Sequence, residues 1–165
     1  DVISTDVMTA AWLDTVCDAH RLPFDDACFD NIVMFDVLHH LQRPALFFNE
    51  AARVLRTGGR IVMLEPAITP VSHIFYDRFH EEPVFEEAFP SLSVDVAEHL
   101  ALFAYPLTGG FKSWSLLPAW LAGPLTALEN ILAPLLGRLM AFRMLVVLSS
   151  NGRVDAPGQE HKTPR

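Results

Sequence analysis

The chain has 165 residues, a formal net charge of −8 and 51% hydrophobic residues. This length and composition are typical of one globular domain with a hydrophobic core. The acidic balance, without any basic run, argues against a protein that binds nucleic acid through its phosphates. Since the only cysteines are Cys17 and Cys28, a disulfide framework is not expected and the predicted compartment is the cytoplasm.

The two ends of the chain bear on targeting. The opening sequence, DVISTDVMTA, has no basic segment followed by an apolar one, so it does not predict a secretory signal. It starts inside a strand-like run and without methionine, from which we expect a fragment of a longer protein. Pro118, Gly123 and Pro124 interrupt the apolar C-terminal region, which argues against a bilayer span of about 20 apolar residues. Contact with a membrane surface or a lipid-like substrate stays open.

Short apolar runs dominate the first part of the chain. DVIST predicts a strand that ends at Asp6, and LDTVCDA predicts a second strand that ends near Asp18. An acidic loop, HRLPFDDACFD, follows them. The run NIVMF then predicts a third strand that is covered on both faces.

A helix and a further strand come next. Pro44 suits the first turn of a helix, and PALFFNEAARVL places its apolar residues on one face. Gly58 and Gly59 are expected to end this helix, and RIVMLEP predicts the next strand. Strand, helix and strand with short connections predict a βαβ unit with parallel strands.

The pattern is weaker beyond Pro66. PVSHIFYDRFHEEP predicts a helix or a lid over the sheet edge, and residues 84–108 are expected to be irregular. SLLPAWLAGPLTALENILAPLLGRLMAF predicts one or two helices broken by prolines, and RMLVVLSS predicts a final strand. The polar residues 151–165 are expected to form a disordered tail.

Carboxylates stand at or just beyond the ends of the predicted parallel strands, at Asp6, Asp18 and Asp36. In an open α/β sheet the ligand crevice lies outside these strand ends. An acid after the second strand can accept hydrogen bonds from a ribose diol, and Asp18 followed by the small Ala19 can accept from an adenine amino group. Each aspartate taken singly is as readily explained as the cap of a turn or helix, but the three together favour a ligand site.

Several short motifs occur in a fixed order between residues 3 and 66. They are Asp18-Ala19, Leu22-Pro23-Phe24, Phe29-Asp30, Leu38-His39-His40, Arg53-Val54-Leu55 and Gly58-Gly59. In this order they resemble the class I S-adenosylmethionine-dependent methyltransferases of the type 11 group. The resemblance implies a Rossmann-like α/β fold, with a mostly parallel sheet and helices on both faces. It also implies a helical C-terminal region and a final antiparallel strand, whereas the family's first strand is lacking here.

The resemblance also implies roles for individual residues toward S-adenosylmethionine. Asp6 would hold the ribose, and Asp18 and Ala19 would flank the adenine. Phe35 and Asp36 would line the pocket near the methionine part and the transferred methyl group. Because the cofactor supplies the reactive group, the protein's contribution is alignment and a dry pocket. No catalytic residue is identified.

The histidines His39 and His40 begin the segment after the third strand. One of them is expected to face the cofactor pocket, and His39 is included among the cofactor-binding candidates. A structural hydrogen bond is the commoner role for such a histidine, and catalysis is the less favoured alternative. No metal site is predicted, because the histidines, cysteines and the DDACFD loop lack the spacing of a zinc or EF-hand calcium site.

One part of the family pattern is missing. The family opens with a strand and a glycine-rich loop around the methionine end of the cofactor, whereas the double glycines here lie at 58–59 and 109–110. The family helix between Asp6 and Asp18 is also shortened to VMTAAWL. We therefore expect weak or no cofactor binding by this chain alone, and no activity.

These observations favour methyl transfer from S-adenosylmethionine to a small or lipid-like acceptor. The predicted organisation is a partial methyltransferase domain over 1–150, with a cofactor half at 1–66 and an acceptor or lid region with the last strand at 67–150. The alternative is a non-catalytic methyltransferase-like module that binds a partner through the apolar 111–148 region. A nicotinamide-dependent dehydrogenase shares the ribose acid but does not explain the Leu-Pro-Phe loop. The acceptor, the atom methylated and the oligomeric state are not indicated.

Overall fold

The computed structural model describes residues 1–67, 69–70, 91–108 and 115–152. The lid predicted over residues 70–83 lies outside this part apart from its first residue, as does the predicted tail from residue 153 onward. The strands are β1 (Thr5–Asp6), β2 (Thr15–Val16), β3 (Phe29–Phe35), β4 (Leu55–Pro66), β5 (Leu92–Leu100) and β6 (Arg143–Ser150). The helices are α1 (Pro44–Val54), α2 (Ala104–Leu107) and α3 (Ala119–Met140), and a single 3₁₀ turn spans Leu38–His40.

The strands form two sheets. β1 and β2 pair in parallel as a small two-stranded sheet. The larger sheet has the order β3-β4-β6-β5, in which β3 and β4 are parallel and β6 is antiparallel to both of its neighbours. The predicted βαβ unit, β3-α1-β4, and the predicted final strand are therefore confirmed.

The main core lies where α1 covers β3 and β4. Four helix residues at i, i+1, i+4 and i+7 turn inward, which is the spacing of one helix face. They are Phe47, Phe48, Ala51 and Val54. Of these, Phe47, Phe48 and Ala51 pack with Met34, Ile61 and Met63 of the sheet, each at most 6% exposed. This packing fixes β3 and β4 side by side, so that both strands end at the same edge of the sheet.

The helix α1 ends earlier than the glycine pair indicated. Leu55 already has the extended backbone of β4, and Gly58-Gly59 lie inside that strand. The reason is a local hydrogen bond: the amide of Cys28 donates to the carbonyl of Val54 at 2.8 Å, so a neighbouring loop satisfies the helix end. The expectation that the glycines stop the helix is wrong.

Strand β3 is buried on one face only, not on both as predicted. Met34 is 6% exposed, whereas its neighbours Val33 and Phe35 are 58% and 65% exposed. Among the described strands β3 pairs with β4 alone, so it forms the edge of the larger sheet. The strand therefore has more apolar side chains than the described part of the fold buries.

The second half is more regular than its sequence indicated. Residues 92–100, expected to be irregular, form β5, which carries a bulge between Val94 and Val96. The proline-rich segment forms one helix, α3, which continues through Pro124 and Pro134. A second core cluster, with Ala67, Leu102 and Ala141 at its centre, includes the inner face of α3.

Candidate functional site

The ends of three strands meet at one edge of the larger sheet. β3 and β4 run in parallel and end at Phe35 and Pro66, whereas β6 runs the other way and begins there. Arg143, the first residue of β6, pairs with Pro66 in the register. The topology therefore brings a cation from β6 beside the carboxylates that follow β3 and end β4.

Asp36 is fixed at this edge by an ion pair. Its backbone is left-handed, with φ 53°, and its Oδ1 accepts a hydrogen bond from Nη1 of Arg143. Arg143 is 5% exposed, and its guanidinium lies 5.4 Å from the centre of the Tyr105 ring of α2. Burial by itself would lower the pKa of Arg143, but the bond to Asp36 and the attraction of its charge raise it overall. Asp36 and Arg143 thus compensate one another in a poorly solvated place.

Glu65, the penultimate residue of β4, organises the turn after Asp36. Its Oε1 accepts hydrogen bonds from the amides of Val37 and Leu38, both at 2.9 Å. Its Oε2 lies 2.7 Å from Nδ1 of His39. With Glu65 ionised, Nδ1 is the nitrogen that carries the proton. His39 is therefore held by a buried carboxylate, while the neighbouring His40 is exposed.

These side chains also have the composition of a small metal site. Ligand atoms of Asp36, His39 and Glu65 lie within 4.8 Å of one another. However, Arg143 already supplies positive charge to Asp36, and Glu65 already accepts from two amides and His39. A cation would have to displace these donors, so the donor set fits an ion-pair network better than a metal centre.

Asp6 stands at the end of β1 and is exposed. Its Oδ1 accepts a hydrogen bond from the amide of Met8 at 2.8 Å, which is a local turn. The segment VMTAAWL that follows forms turns rather than the shortened helix expected. One oxygen of the Asp6 carboxylate, Oδ1, is thus engaged in this turn.

Asp18 lies just beyond β2, at the same edge of the small sheet as Asp6. Its Oδ1 accepts hydrogen bonds from the amide of His20 at 2.9 Å and from the His20 ring at 2.7 Å, with His20 Nδ1 as the ring donor. The bond from the His20 amide is the main cause of a lowered pKa for Asp18. The other ring nitrogen of His20 lies 3.4 Å from the amide of Arg43, which precedes α1, and Ala19 packs against the main core.

The acidic loop is anchored by Arg53 of α1. Its guanidinium donates to the carbonyls of Leu22 and Phe24 at 2.9 and 2.8 Å, and to the carboxylate of Asp26. It also donates to both carboxylate oxygens of Glu50, at 2.9 and 2.8 Å. The hydrogen bonds with Glu50 are the main cause of a raised pKa for Arg53 and a lowered pKa for Glu50. The Leu-Pro-Phe and Arg-Val-Leu motifs are thus in direct contact.

The candidates fall into two groups. Asp36 and His39 share one hydrogen-bonded network at the edge of the larger sheet, whereas Asp6 and Asp18 belong to the small sheet. Phe35 is 65% exposed beside the first group.

Sequence reasoning missed Glu65 and Arg143. The rule that selected the aspartates, a carboxylate at a strand end, applies equally to Glu65. Arg143 could have been found as the first residue of the predicted antiparallel strand, since such a strand begins where its parallel neighbours end.

A family model described as "Methyltransferase domain" matches residues 6–63. Over these residues the chain is similar to class I methyltransferase domains of the type 11 group. The match begins at Asp6 and ends in β4, so it covers all the cofactor-binding candidates.

Curated relatives of the chain include enzymes named for quinones. A demethylmenaquinone methyltransferase from Mycolicibacterium gilvum is 32% identical over 97 residues, which is 59% of this chain and 41% of the relative. The ubiquinone/menaquinone biosynthesis C-methyltransferase UbiE from Desulfotalea psychrophila is 33% identical over 92 residues, 54% of this chain and 35% of that protein. The chain thus matches about two fifths of the length of such relatives.

The chain is also similar in fold to solved structures. A proposed methyltransferase from Bacillus halodurans superposes with a TM-score of 0.53 at 16% identity, over 92% of this chain and 81% of that one. A geranyl diphosphate methyltransferase has a TM-score of 0.51 at 15% identity, over 83% of this chain and 52% of the other. The Rossmann-like α/β fold predicted from the sequence is confirmed.

Proposed function

We propose that this chain is part of an S-adenosylmethionine-dependent methyltransferase whose acceptor is a lipid-like quinone. The observation that carries the proposal is the family match, which spans Asp6, Asp18 and Asp36 at the ends of their strands. The quinone is supported by the names of the relatives from M. gilvum and D. psychrophila. The proposed compartment is the cytoplasm, and no nucleic acid takes part.

The small sheet would hold the adenosine end of the cofactor. Asp6 offers a carboxylate at a strand end, and one of its oxygens is already oriented by the amide of Met8. Hydrogen bonds from His20 fix Asp18, and their lowering of its pKa keeps it an ionised acceptor. Ala19 is small enough for a flat ring to approach the backbone. These features fit a ribose diol and an adenine amino group.

The edge of the larger sheet would hold the reacting end. When bound, S-adenosylmethionine supplies a methyl group on a sulfonium, which passes to a nucleophilic atom of the acceptor. The exposed ring of Phe35 would provide an apolar wall there. Because Arg143 compensates its charge, Asp36 would serve as a fixed hydrogen-bond acceptor rather than as a base. Glu65 would orient His39 at the rim.

The 165 residues contain no glycine-rich loop of the kind that encloses the methionine end. We therefore expect the chain to recognise the adenosine end only, with a dissociation constant of about 1 mM or weaker. Adenosine and S-adenosylhomocysteine should then bind the chain about equally well, since the methionine part adds few contacts.

Ligand-observed NMR on the full chain tests this proposal. Adenosine, 2′-deoxyadenosine and S-adenosylhomocysteine would be titrated against the chain, an Asp6→Asn variant and an Asp25→Asn control with the same change in charge at an exposed loop position. Asp6→Asn should weaken adenosine binding by roughly tenfold, the loss of a charge-assisted hydrogen bond. The control should bind as the unmodified chain does.

Two results would count against the proposal. Binding of S-adenosylmethionine at micromolar concentration, with adenosine far weaker, would show that the adenosine end does not dominate. Equal binding of adenosine by the unmodified chain and by Asp6→Asn would show that Asp6 does not hold the ribose.

A further inference from the structure

The outer face of α3 is a continuous apolar stripe. Trp120, Leu128, Ile131, Leu135 and Leu139 are exposed by 75%, 47%, 75%, 80% and 50%. Their spacing of eight, three, four and four residues places them on one side of a helix. We call these five side chains the α3 stripe. A stripe of this kind on a protein in water marks a surface that contacts something apolar.

The charges on α3 indicate what that partner is. The only carboxylate of the helix, Glu129, is 4% exposed and turned away from the stripe. The only cation, Arg138, is exposed in the last turn. A chain with a net charge of −8 thus presents a helix face without any acid and with one arginine. Tryptophan and arginine beside an apolar face are typical of helices that lie in a membrane interface.

The contacts of the inner face of α3 argue against a helix that crosses a membrane. Among the described helices, α3 is the one that is long and apolar enough for a span. The inner face of α3, however, packs against the rest of the protein. Glu129 accepts hydrogen bonds from the amides of Phe103 and Ala104, and Gly137 packs closely on His99 of β5. A spanning α3 would carry Glu129 into hydrocarbon without these donors, at high cost.

We infer that the α3 stripe docks onto the surface of a lipid bilayer that contains anionic lipids. The helix axis lies parallel to the surface over about 33 Å, the length of 22 helical residues. The stripe enters the boundary of the acyl chains, and Arg138 contacts lipid phosphates. An apolar face without acids, and with an arginine at its end, is complementary to an anionic lipid surface.

The docking helix is linked to the candidate site through α2. The buried Glu129 holds the start of α2, and Tyr105 of α2 contacts Arg143 of the Asp36 network. These contacts connect the docking helix to the Asp36 network at the sheet edge. The inference does not rest on the proposed function, because the stripe and its charges are independent of the cofactor candidates.

Vesicle co-sedimentation of the full chain tests the inference. Vesicles of phosphatidylcholine alone, and with phosphatidylglycerol, would be compared for the chain and an Ile131→Ser/Leu135→Ser variant. The matched control is Val7→Ser/Met8→Ser, which changes side chains that are 70% and 74% exposed near β1. The stripe variant should bind roughly tenfold or more weakly, and the control unchanged. Arg138→Gln should lose about fivefold on the anionic vesicles only.

Circular dichroism of each variant confirms that the fold is retained. Failure of the chain to bind either kind of vesicle, or equal binding by the stripe variant, overturns the inference. So does a dimer that the stripe variant abolishes in the absence of vesicle binding. Adenosine binding is measured without vesicles, so its failure and the failure of membrane docking are told apart.

Discussion

The contact between α3 and β5 makes a prediction about two glycines of the same helix. A Cβ at Gly137 would lie 2.8 Å from Cβ of His99, far inside normal contact, whereas a Cβ at Gly123 would meet nothing within 4 Å. Alanine is favoured over glycine in a helix by about 1 kcal/mol, and overpacking costs about 1–3 kcal/mol. Gly123→Ala should therefore stabilise the chain by about 1 kcal/mol. Gly137→Ala should be less stable than Gly123→Ala by about 1–3 kcal/mol.

Urea denaturation of the chain and both variants measures this difference. The midpoints should separate in the stated order while the slope of the transition stays the same, because neither change alters the surface exposed on unfolding. Equal stabilisation by both alanines would show that α3 does not pack on β5 at Gly137. Since that contact keeps the α3 stripe facing outward, the same result would weaken the case for membrane docking.

Two further predictions concern ion pairs and are checked by the same denaturation assay. Arg143→Met should destabilise the chain by about 3 kcal/mol, because it leaves the Asp36 carboxylate uncompensated in a largely buried place. Adding Asp36→Asn should restore part of the loss, and no recovery would contradict the pairing. The pKa of Glu50 is lowered mainly by hydrogen bonds from Arg53, so this carboxylate stabilises the fold above its unfolded pKa, and that stability is lost as the pH falls through the lowered value. The unmodified chain should therefore have a higher free energy of unfolding than the Glu50→Gln variant at pH 7. This difference should disappear in acid. A difference that does not change with pH would refute this.

The sequence predicted those elements whose stability comes from local pattern. The helix α1 follows from a proline at its first turn and an apolar face, and β6 was placed correctly from its apolar run. The strand β5 was missed because LSVDVAEHL mixes acids with apolar residues, which an edge strand tolerates on its exposed face. The burial of β3 was overestimated because composition does not reveal how many neighbours a strand has.

The same distinction applies to the candidate site. Asp36 was identified because it ends a recognisable strand. Its partner Arg143 is 107 residues away in the sequence, so the pairing depends on the order of strands in the sheet. The role of Glu65 likewise depends on the turn that β3 makes beside it. Strand ends can be predicted from the sequence, whereas their contacts require the fold.

The most direct test of the central claim is an NMR titration of the isotope-labelled chain with S-adenosylmethionine, followed amide by amide. The account predicts weak binding with the largest shifts around Asp6 and Asp18, and smaller ones around Phe35 and Asp36. Shifts confined to α3, or spread evenly over the chain, would contradict a cofactor site at these strand ends.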